Sequence, residues 1–340
     1  MIVTTLLDTV AGDGLTSLRE AVAAVNDGTQ PPGTAITFDP SLAGGVLRLT
    51  QGELTLDGEM RIDGDADGDG IGDIVLSGDA AGDDISAAGV TDIAASIAAG
   101  TLGDNSRVIT VEGGPVTLSN LTVTGGHVDL PGAIRDPVND GGGLRLFADT
   151  RLESVTVEGN GVSGGRSSGG GVYAGPSPAG GARAEIVVVD SAIRGNAATY
   201  ESGFDSGAGG GLYLRQVEAR FTDVAIDDNV AQRIGGGLFV QNSTDLRIEG
   251  GSISGNESLD ASAGGLFNRG RTQLDGVTIS GNSAEGDGGG IFAERSLAIS
   301  SSLIAGNSAG RDGGGLHSTS SFTLVSSTVS GNSAGQGGGG

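Results

Sequence analysis

From residue 141 to its end the chain repeats one pattern: a glycine run, an aliphatic residue, two short apolar stretches and a closing asparagine. The closing asparagines are Asn160, Asn196, Asn229, Asn256, Asn282, Asn307 and Asn332. Their spacings are 36, 33, 27, 26, 25 and 25 residues, so the period shrinks to a near constant. A fixed period of this length is typical of one structural unit stacked on copies of itself. The repeat therefore predicts a solenoid for residues 141–340.

Alignment of the repeats on the closing asparagine gives three apolar columns, each within a short run of period two such as Leu297-Ala298-Ile299. One column contains Val157, Ile193, Ile226, Ile253, Ile279, Ile304 and Val329. A second contains Leu152, Val188, Phe221, Ile248, Leu274, Ile299 and Leu324. The third follows the glycine runs and contains Leu144, Val172, Leu212, Leu238, Leu266, Ile291 and Leu316. Alternation with period two indicates β-strands rather than helices.

Three short strands and their turns fill about 25 residues, which is the length of one triangular coil of a right-handed parallel β-helix. Successive coils pair in parallel about 4.8 Å apart, so each column becomes a stack of like residues inside a narrow core. Glycine allows sharp turns with positive φ, and stacked asparagines tolerate the left-handed region and can pass amide hydrogen bonds between coils. We therefore expect an asparagine ladder and ten to twelve coils, about 50 Å in length.

The first third of the chain has the same β character with a looser period, and the strand candidates are 36–38, 46–49, 54–56, 74–76, 108–111 and 121–123. Ser17 and Glu20 form a capping box for a short amphipathic helix, which we expect to cover the open apolar end of the β-helix. The predicted organisation is an amino-terminal strand and capping helix (1–35), irregular coils with insertions such as 79–106 (36–140), and regular repeats (141–340). The repeat is predicted to continue beyond residue 340, where a further strand would begin.

Composition narrows the possible partners. The 18 basic residues, all arginine, stand against 42 carboxylates, and the formal charge of −24 argues against nucleic acid and anionic membranes as partners. The chain has no cysteine, which removes disulfide and thiolate chemistry. No stretch approaches the roughly 18 apolar residues of a membrane span, and the first residues do not predict a signal peptide.

Two sets of residues carry a resemblance to a known group. The segment 16–22 (Thr-Ser-Leu-Arg-Glu-Ala-Val), followed by 36–39 (Ile-Thr-Phe-Asp), resembles the amino-terminal Cys-Ser-Leu-Arg-Glu-Ala segment of bacterial β-helix surface proteins. Thr16 replaces the usual cysteine, which removes any redox or bridging role. The repeats resemble those of polymorphic outer-membrane proteins and other pectin-lyase-like folds. Relatives of this group that lack a signal peptide are often exported by type I secretion and carry calcium-binding nonapeptide repeats near the carboxy terminus. The resemblance therefore implies type I secretion for this chain.

An Asp/Gly segment at residues 63–73 is the sharpest local motif. Its carboxylates are Asp63, Asp65, Asp67, Asp69 and Asp73. Carboxylates at alternate positions can wrap a calcium ion, which takes six to eight oxygen ligands. Position 12 of an EF-hand template starting at Asp65 is Leu76, and a strand follows, so the motif is a loop variant between strands. The alternative is an Asp/Gly turn whose side chains cap their own backbone.

A second candidate is the column that directly follows the aliphatic residue of each coil. Its aromatic members are Tyr173, Tyr213, Phe239, Phe267 and Phe292, with Arg145 and His317 at the two ends. If the aliphatic neighbours point inward, this column points outward and forms an exposed stripe that could contact sugar faces or a partner protein. The alternatives are a ladder that only stabilises the fold, or a register that places the rings in the core.

Catalysis is the rival class of function, because pectate-lyase-like enzymes use clustered aspartates and a basic residue on one outer face. His127 and His317 lie in different regions without a recognisable partner. Asp287 and Asp312 are 25 residues apart and could meet on adjacent coils, with Asp140 at an equivalent turn. A repeated turn aspartate is more often a capping residue than an acid–base pair.

These patterns favour a non-enzymatic extracellular or cell-surface protein that acts as a rigid stalk or adhesive module, stabilised by calcium. An extracellular polysaccharide or a cell-surface protein is the expected partner. The alternative is a polysaccharide lyase or glycoside hydrolase on a pectin-lyase-like fold. No catalytic residue and no organic cofactor is assigned from the sequence.

Overall fold

The chain forms a parallel β-helix, an all-β fold built from stacked coils. A computed structural model describes residues 1–84, 86–87, 90–91, 96, 101–130, 140–165, 167–199 and 207–339. Within these residues, four parallel sheets of 11, 10, 9 and 8 strands run along the stack. Eleven strands at about 4.8 Å give a rod about 50 Å long, which is the expected length.

The strands are short, and in the regular repeats each sheet takes one strand from each coil. The eleven-stranded sheet comprises Ile2–Val3, Thr34–Phe38, Met60–Asp63, Val116–Ser119, Thr150–Glu153, Glu185–Val189, Glu218–Thr222, Asp245–Glu249, Arg271–Asp275, Leu297–Ser300 and Phe322–Val325. The ten-stranded sheet comprises Val46–Arg48, Ile74–Ser77, Leu121–Thr124, Thr156–Glu158, Ala192–Arg194, Ala225–Asp227, Ser252–Ser254, Thr278–Ser280, Leu303–Ala305 and Thr328–Ser330. The nine-stranded sheet comprises Leu54–Leu56, Ile109–Val111, Leu144–Leu146, Val172–Ala174, Leu212–Leu214, Leu238–Val240, Leu266–Asn268, Ile291–Ala293 and Leu316–Ser318. The eight-stranded sheet comprises His127–Leu130, Gly161–Gly164, Ala197–Ala198, Val230–Ala231, Glu257–Ser258, Ser283–Ala284, Ser308–Ala309 and Ser333–Ala334.

The predicted columns are confirmed by the strand register. Ile304 pairs with Val329, Ile299 with Leu324, and Ile291 with Leu316. Most members of these columns are fully buried and belong to one hydrophobic cluster that runs through the stack. Burial of like aliphatic side chains on successive coils supplies the main driving force for stacking, because a single coil cannot bury its own apolar face.

Each regular coil has four strands, whereas the sequence pattern predicted three. The additional strand follows the closing asparagine and is only two residues long in most coils, as at Ser283–Ala284. Its outward residue is small or polar, and its inward residue is alanine or serine in the later coils, for example Ala284 and Ala309. Two small residues do not produce a readable alternation of apolar and polar side chains, so this strand is invisible in the hydrophobic pattern.

The asparagine ladder is confirmed. Asn256 illustrates the geometry: its backbone N–H and its side-chain Nδ2 both donate to Oδ1 of Asn282, at 3.0 and 2.9 Å. The same pair of bonds repeats from Asn160 to Asn332. The left-handed conformation belongs to the preceding residue and not to the asparagine, because Gly281 has φ of 65°. The expectation that the asparagines themselves occupy the left-handed region is therefore wrong.

The predicted helix is confirmed at Leu18–Asn26. Ser17 Oγ accepts a hydrogen bond from the Glu20 N–H, and Glu20 Oε2 accepts one from the Ser17 N–H, so the capping box is complete. The helix packs against the first strands of the stack, and Leu18 and Val22 are among its buried side chains. The helix therefore covers the apolar first coil, as expected.

The remaining elements lie outside the stack. Two 3₁₀ turns span Pro40–Leu42 and Leu102–Asp104, and the segment expected as an insertion at 79–106 contains an antiparallel pair, Ser86–Ala87 with Val90–Thr91. Other parts of that insertion lie outside the described residues. Among the described elements, no helix combines the length and apolarity required to cross a membrane.

Candidate functional site

The aromatic column points away from the coil core, as predicted, but it is not an exposed stripe. Consecutive rings from Tyr173 to Phe292 stack with centroids 4.8–5.6 Å apart. Tyr173, Phe239 and Phe267 are at most 3% exposed. Phe292 is also buried and Tyr213 is half-buried. The expectation of an exposed contact surface is therefore wrong, and the alternative of a self-stabilising ladder agrees with this geometry.

The rings are covered by the glycine turns that precede them in the chain. Each turn folds back over the following strand, and Ala208, Ile234 and Ala263 pack on the ring column. At Gly288, which has φ of 70°, an added Cβ would lie 2.4 Å from the Ile291 carbonyl oxygen. Only glycine fits this position, because the turn touches the strand it covers. The glycine runs thus enclose a second, narrow apolar space beside the main core.

At the start of the regular array, the same space is filled by charged side chains, named here the Arg107 cluster. Its members are Glu53, Arg107, Thr110, Asp140 and Arg145. Arg107 Nη1 donates to Glu53 Oε2 at 2.5 Å, and Nε donates to the Gly141 carbonyl oxygen at 2.8 Å. Thr110 Oγ1 donates to the same Glu53 oxygen at 2.9 Å. The cluster therefore ties the second and third strands of the nine-stranded sheet to the first glycine turn.

The pKa values of the two acids of this cluster are shifted in opposite directions. Burial raises the pKa of Asp140 well above its usual value, and the positive charge of Arg107 only partly offsets that effect. Burial also acts to raise the pKa of Glu53, but the charge and hydrogen bond of Arg107, the hydrogen bond of Thr110 and the charge of Arg145 together outweigh it, so the pKa of Glu53 is lowered. The pair thus contains one carboxyl group whose pKa is raised and one whose pKa is lowered, a combination also found at catalytic sites.

Tyr173 connects the charged cluster to the aromatic column. Burial and the nearby Asp140 raise the pKa of Tyr173 to about 12, although a hydrogen bond to Arg215 acts against the shift. The Tyr173 ring meets Phe147 edge-on at 6.2 Å and stacks on Tyr213. The pKa of Asp140 and the pKa of Tyr173 are both raised, and both side chains are almost fully buried. Sequence reasoning missed this cluster because Glu53 and Arg107 lie far from the repeat.

The structure brings together three of the five predicted calcium ligands. Carboxylate oxygens of Asp65, Asp67 and Asp73 lie within 4.8 Å of one another. Asp63 is held away by Arg61 at 3.1 Å and by Asn120 Nδ2 at 2.9 Å. Asp69 accepts from the Ile71 N–H at 2.8 Å and stands outside the group. Carboxylate oxygens are the kind of ligand that calcium prefers.

The same carboxylates also cap the backbone of their own loop. Asp65 accepts from the N–H groups of Gly68 and Gly70 at 2.7 and 3.0 Å. Asp73 Oδ2 accepts from the Ala66 N–H at 2.9 Å. The hydrogen bonds therefore agree with the alternative of a self-capped Asp/Gly turn. The loop is formed by these bonds, and a bound ion would stabilise it further.

Both histidines have neighbours that the sequence did not reveal. His127 Nε2 lies 3.1 Å from Ser163 Oγ, and burial lowers the pKa of His127, with the charge of Asp129 partly opposing. At the far end of the aromatic column, His317 lies beside Asp287 and Asp312, whose carboxylate oxygens are within 4.8 Å of its ring nitrogen. The expected meeting of these two aspartates on adjacent coils is confirmed, since the Asp312 N–H donates to Asp287 Oδ1 at 3.1 Å.

The outer face of the eleven-stranded sheet carries paired charges. Arg61–Asp63, Arg151–Glu153 and Arg247–Glu249 join residues two apart on one strand. Beside this face lies an open groove of about 430 Å³, whose lining includes Arg271 and Arg295. Both arginines are exposed. The lining also contains Arg269 and Asp245, so arginines outnumber carboxylates and the groove is a basic surface on a strongly acidic protein.

Two solved structures are similar to this chain over nearly its whole length. The A-module of mannuronan C-5 epimerase AlgE6 from Azotobacter vinelandii is 16% identical, covers 97% of both chains and has a TM-score of 0.40. The AlgE4 A-module from the same organism is 13% identical, covers 95% of this chain and 98% of its own, and has a TM-score of 0.29. No protein-family profile and no curated protein matches the chain. At these identities, the likeness concerns the fold and not an activity.

Proposed function

We propose that the chain is a rigid, non-enzymatic module of an extracellular or cell-surface protein, which holds its ends about 50 Å apart. The observation that carries this proposal is the continuous stack, in which four sheets keep one register from coil to coil. A narrow core, an asparagine ladder and a ring ladder all run along the same axis, so bending would break several columns at once. Type I secretion fits the resemblance of the first residues.

The adhesive contact would lie in the basic groove. Exposed guanidinium groups of Arg271 and Arg295 can bind carboxylates in bidentate fashion, which suits an acidic extracellular polysaccharide or an acidic protein surface. Arg269 lines the same groove and donates to Glu294 at 2.7 and 3.0 Å, and Arg271 Nε lies 3.9 Å from Oδ1 of Asp245, a longer contact on the surface. Binding to an acidic polysaccharide should therefore weaken in Arg271→Gln with Arg295→Gln and fall with added salt. Binding that persists unchanged in this variant would place the contact elsewhere.

Calcium is proposed as a stabiliser of the Asp/Gly loop. An ion held by Asp65, Asp67 and Asp73 would bind the folded loop only, and at a concentration one hundred times its Kd it would stabilise the fold by about 2.7 kcal/mol. Asp67 and Asp73 each cap the backbone through a single oxygen, which asparagine keeps while it removes the charge, so Asp67→Asn with Asp73→Asn separates the metal from the turn. The melting temperature of the native chain should rise on calcium addition, and this variant should lose the rise.

Asp69→Asn is the matched control, because Asp69 caps the same loop but lies outside the three-carboxylate group. This control should keep the calcium response. A native protein whose melting temperature ignores calcium, or a response retained in the double variant, would remove calcium from the proposal.

A second function, a carbohydrate-active enzyme, is favoured by one observation: the raised pKa values of Asp140 and Tyr173, which lie near each other and near Arg145. Acidic polysaccharides would be supplied to the purified chain, and unsaturated products, reducing ends and changes of sugar configuration would be measured. The proposed module turns over none of them. Turnover that disappears in Tyr173→Phe and in Asp140→Asn, but not in Arg271→Gln, would replace the module with the enzyme.

A further inference from the structure

We infer that Asp287, Asp312 and His317 form a binding site for a first-row transition-metal dication such as Zn²⁺, distinct from the calcium loop. Their ligand atoms lie within 4.8 Å of one another, and all three side chains are half-buried. Calcium prefers oxygen ligands alone, whereas a neutral imidazole with two carboxylates suits zinc and its neighbours. Three protein ligands leave room for water in the remaining coordination position.

The two carboxylates are not required by the backbone. The turn column that contains them has Ser168, Ala208, Ile234 and Ser262 in the earlier coils. Ser262 Oγ accepts the Asp287 N–H at 3.2 Å, and Asp287 Oδ1 accepts the Asp312 N–H at 3.1 Å. A serine therefore fulfils the same hydrogen-bonding role. The aspartates add negative charge that the turn itself does not use.

That charge is not neutralised by the protein. Among the described residues, neither Asp287 nor Asp312 forms an ion pair, and the register of adjacent coils holds them together. Two carboxylates at this separation repel each other, and a dication between them would relieve the repulsion. At the other end of the same column, Asp140 is accompanied by Arg107 and Arg145.

The nitrogen ligand of the proposed site is His317, which lies beside Asp287 and Asp312. The column continues from the ring of Phe292 to His317, whose ring stacks at 5.1 Å with an angle of 8°. The stack fixes the plane of the imidazole beside Asp312. The chain has only two histidines and no cysteine, and His127 is buried against Ser163. His317 is therefore the nitrogen ligand available to a metal at this end of the protein.

The full chain would be titrated with Co²⁺ under saturating calcium, which occupies oxygen-only sites. The visible absorption of Co²⁺ and the imidazole NMR signals would be followed, and Zn²⁺ competition would give relative affinity. One saturable ion is expected, with paramagnetic shifts at His317 and not at His127. His317→Phe, which restores the ring found at Phe292, and Asp287→Ser, which copies Ser262, should each weaken binding by at least about tenfold.

Glu257→Ser is the charge-matched control, because Glu257 is exposed and the next coils carry Ser283 and Ser308 at the same position. Its Co²⁺ affinity should stay within about twofold of the native value. The inference is overturned if the native chain gives no saturable Co²⁺ spectrum. It is equally overturned if the spectrum survives unchanged in His317→Phe, since the nitrogen ligand would then be elsewhere.

Discussion

The space beneath the glycine turns is filled differently at its two ends. Near the first turn, Glu53, Arg107 and Arg145 fill it with hydrogen-bonded charge. From Tyr213 to Phe292, stacked rings fill the same space. The backbone of the nine-stranded sheet is continuous through both regions, with Leu144 pairing Ile109 on one side and Val172 on the other.

This difference shows that one coil geometry accepts two kinds of side-chain packing. The two differ in how much stability is lost when a single side chain is removed. A ring ladder gains from burial and from stacking with each neighbour, so it can be extended by one coil at a time. A buried charge cluster is stable only while every partner is present, because desolvation of an unpaired ion is costly. We therefore expect single substitutions to affect the charged region more than the aromatic one.

The largest effect is expected for Arg107→Met. This change would leave Glu53 without its main partner and the carbonyls of Asp140 and Gly141 without donors, at a cost of roughly 3–5 kcal/mol. The free energy of unfolding by urea measures it. Arg247→Met, which removes an exposed pair with Glu249, should cost at most about 0.5 kcal/mol. A cost for Arg107→Met as small as that of Arg247→Met would mean that the charge cluster does not hold the first turn.

An intermediate effect is expected for Phe267→Leu. Phe267 stacks on Phe239 and Phe292, and loss of two ring contacts should cost about 1–3 kcal/mol. The same measurement applies, with Phe322→Leu as control, since Phe322 is 46% exposed. Equal costs at the two positions would show that the ring column contributes no more stability than an exposed phenylalanine.

The smallest effect at neutral pH is expected for Tyr173→Phe. In alkali, the stability of this variant relative to the native chain should increase. The pKa of Tyr173 is raised to about 12 in the folded chain, so folding favours the neutral phenol. Stability from this group is present below the pKa of the unfolded chain, about 10, and is lost as the pH rises towards 12. The variant should lose less stability over that range than the native chain.

Ultraviolet absorbance of phenolate gives an independent reading, because the chain has three tyrosines. The difference between the titrations of the native chain and Tyr173→Phe isolates Tyr173. A midpoint of that difference near the ordinary value for tyrosine would contradict burial of the hydroxyl beside Asp140.

The aromatic and charged regions also differ in how well they could be predicted. The register that stacks Ile304 under Val329 was readable, because a period of 25 residues repeats it several times. The burial of the rings could not be predicted, because a strand pattern indicates which side of the sheet a residue faces but not what covers that side. The two-residue strands such as Ser308–Ala309 were missed because their side chains are too small to mark a pattern.

The repeat established the parallel stacking, the aliphatic columns and the asparagine ladder, and the capping box at Ser17 and Glu20 established the helix at the first coil, since each depends on local periodicity or near-neighbour pairing. Tertiary structure alone decided which charges meet. Glu53 and Arg107 are 54 residues apart, and their contact depends on how irregular coils place them under a turn at Gly141. Side chains outside the repeat have no fixed spacing in sequence, so only the folded path of the chain brings them together.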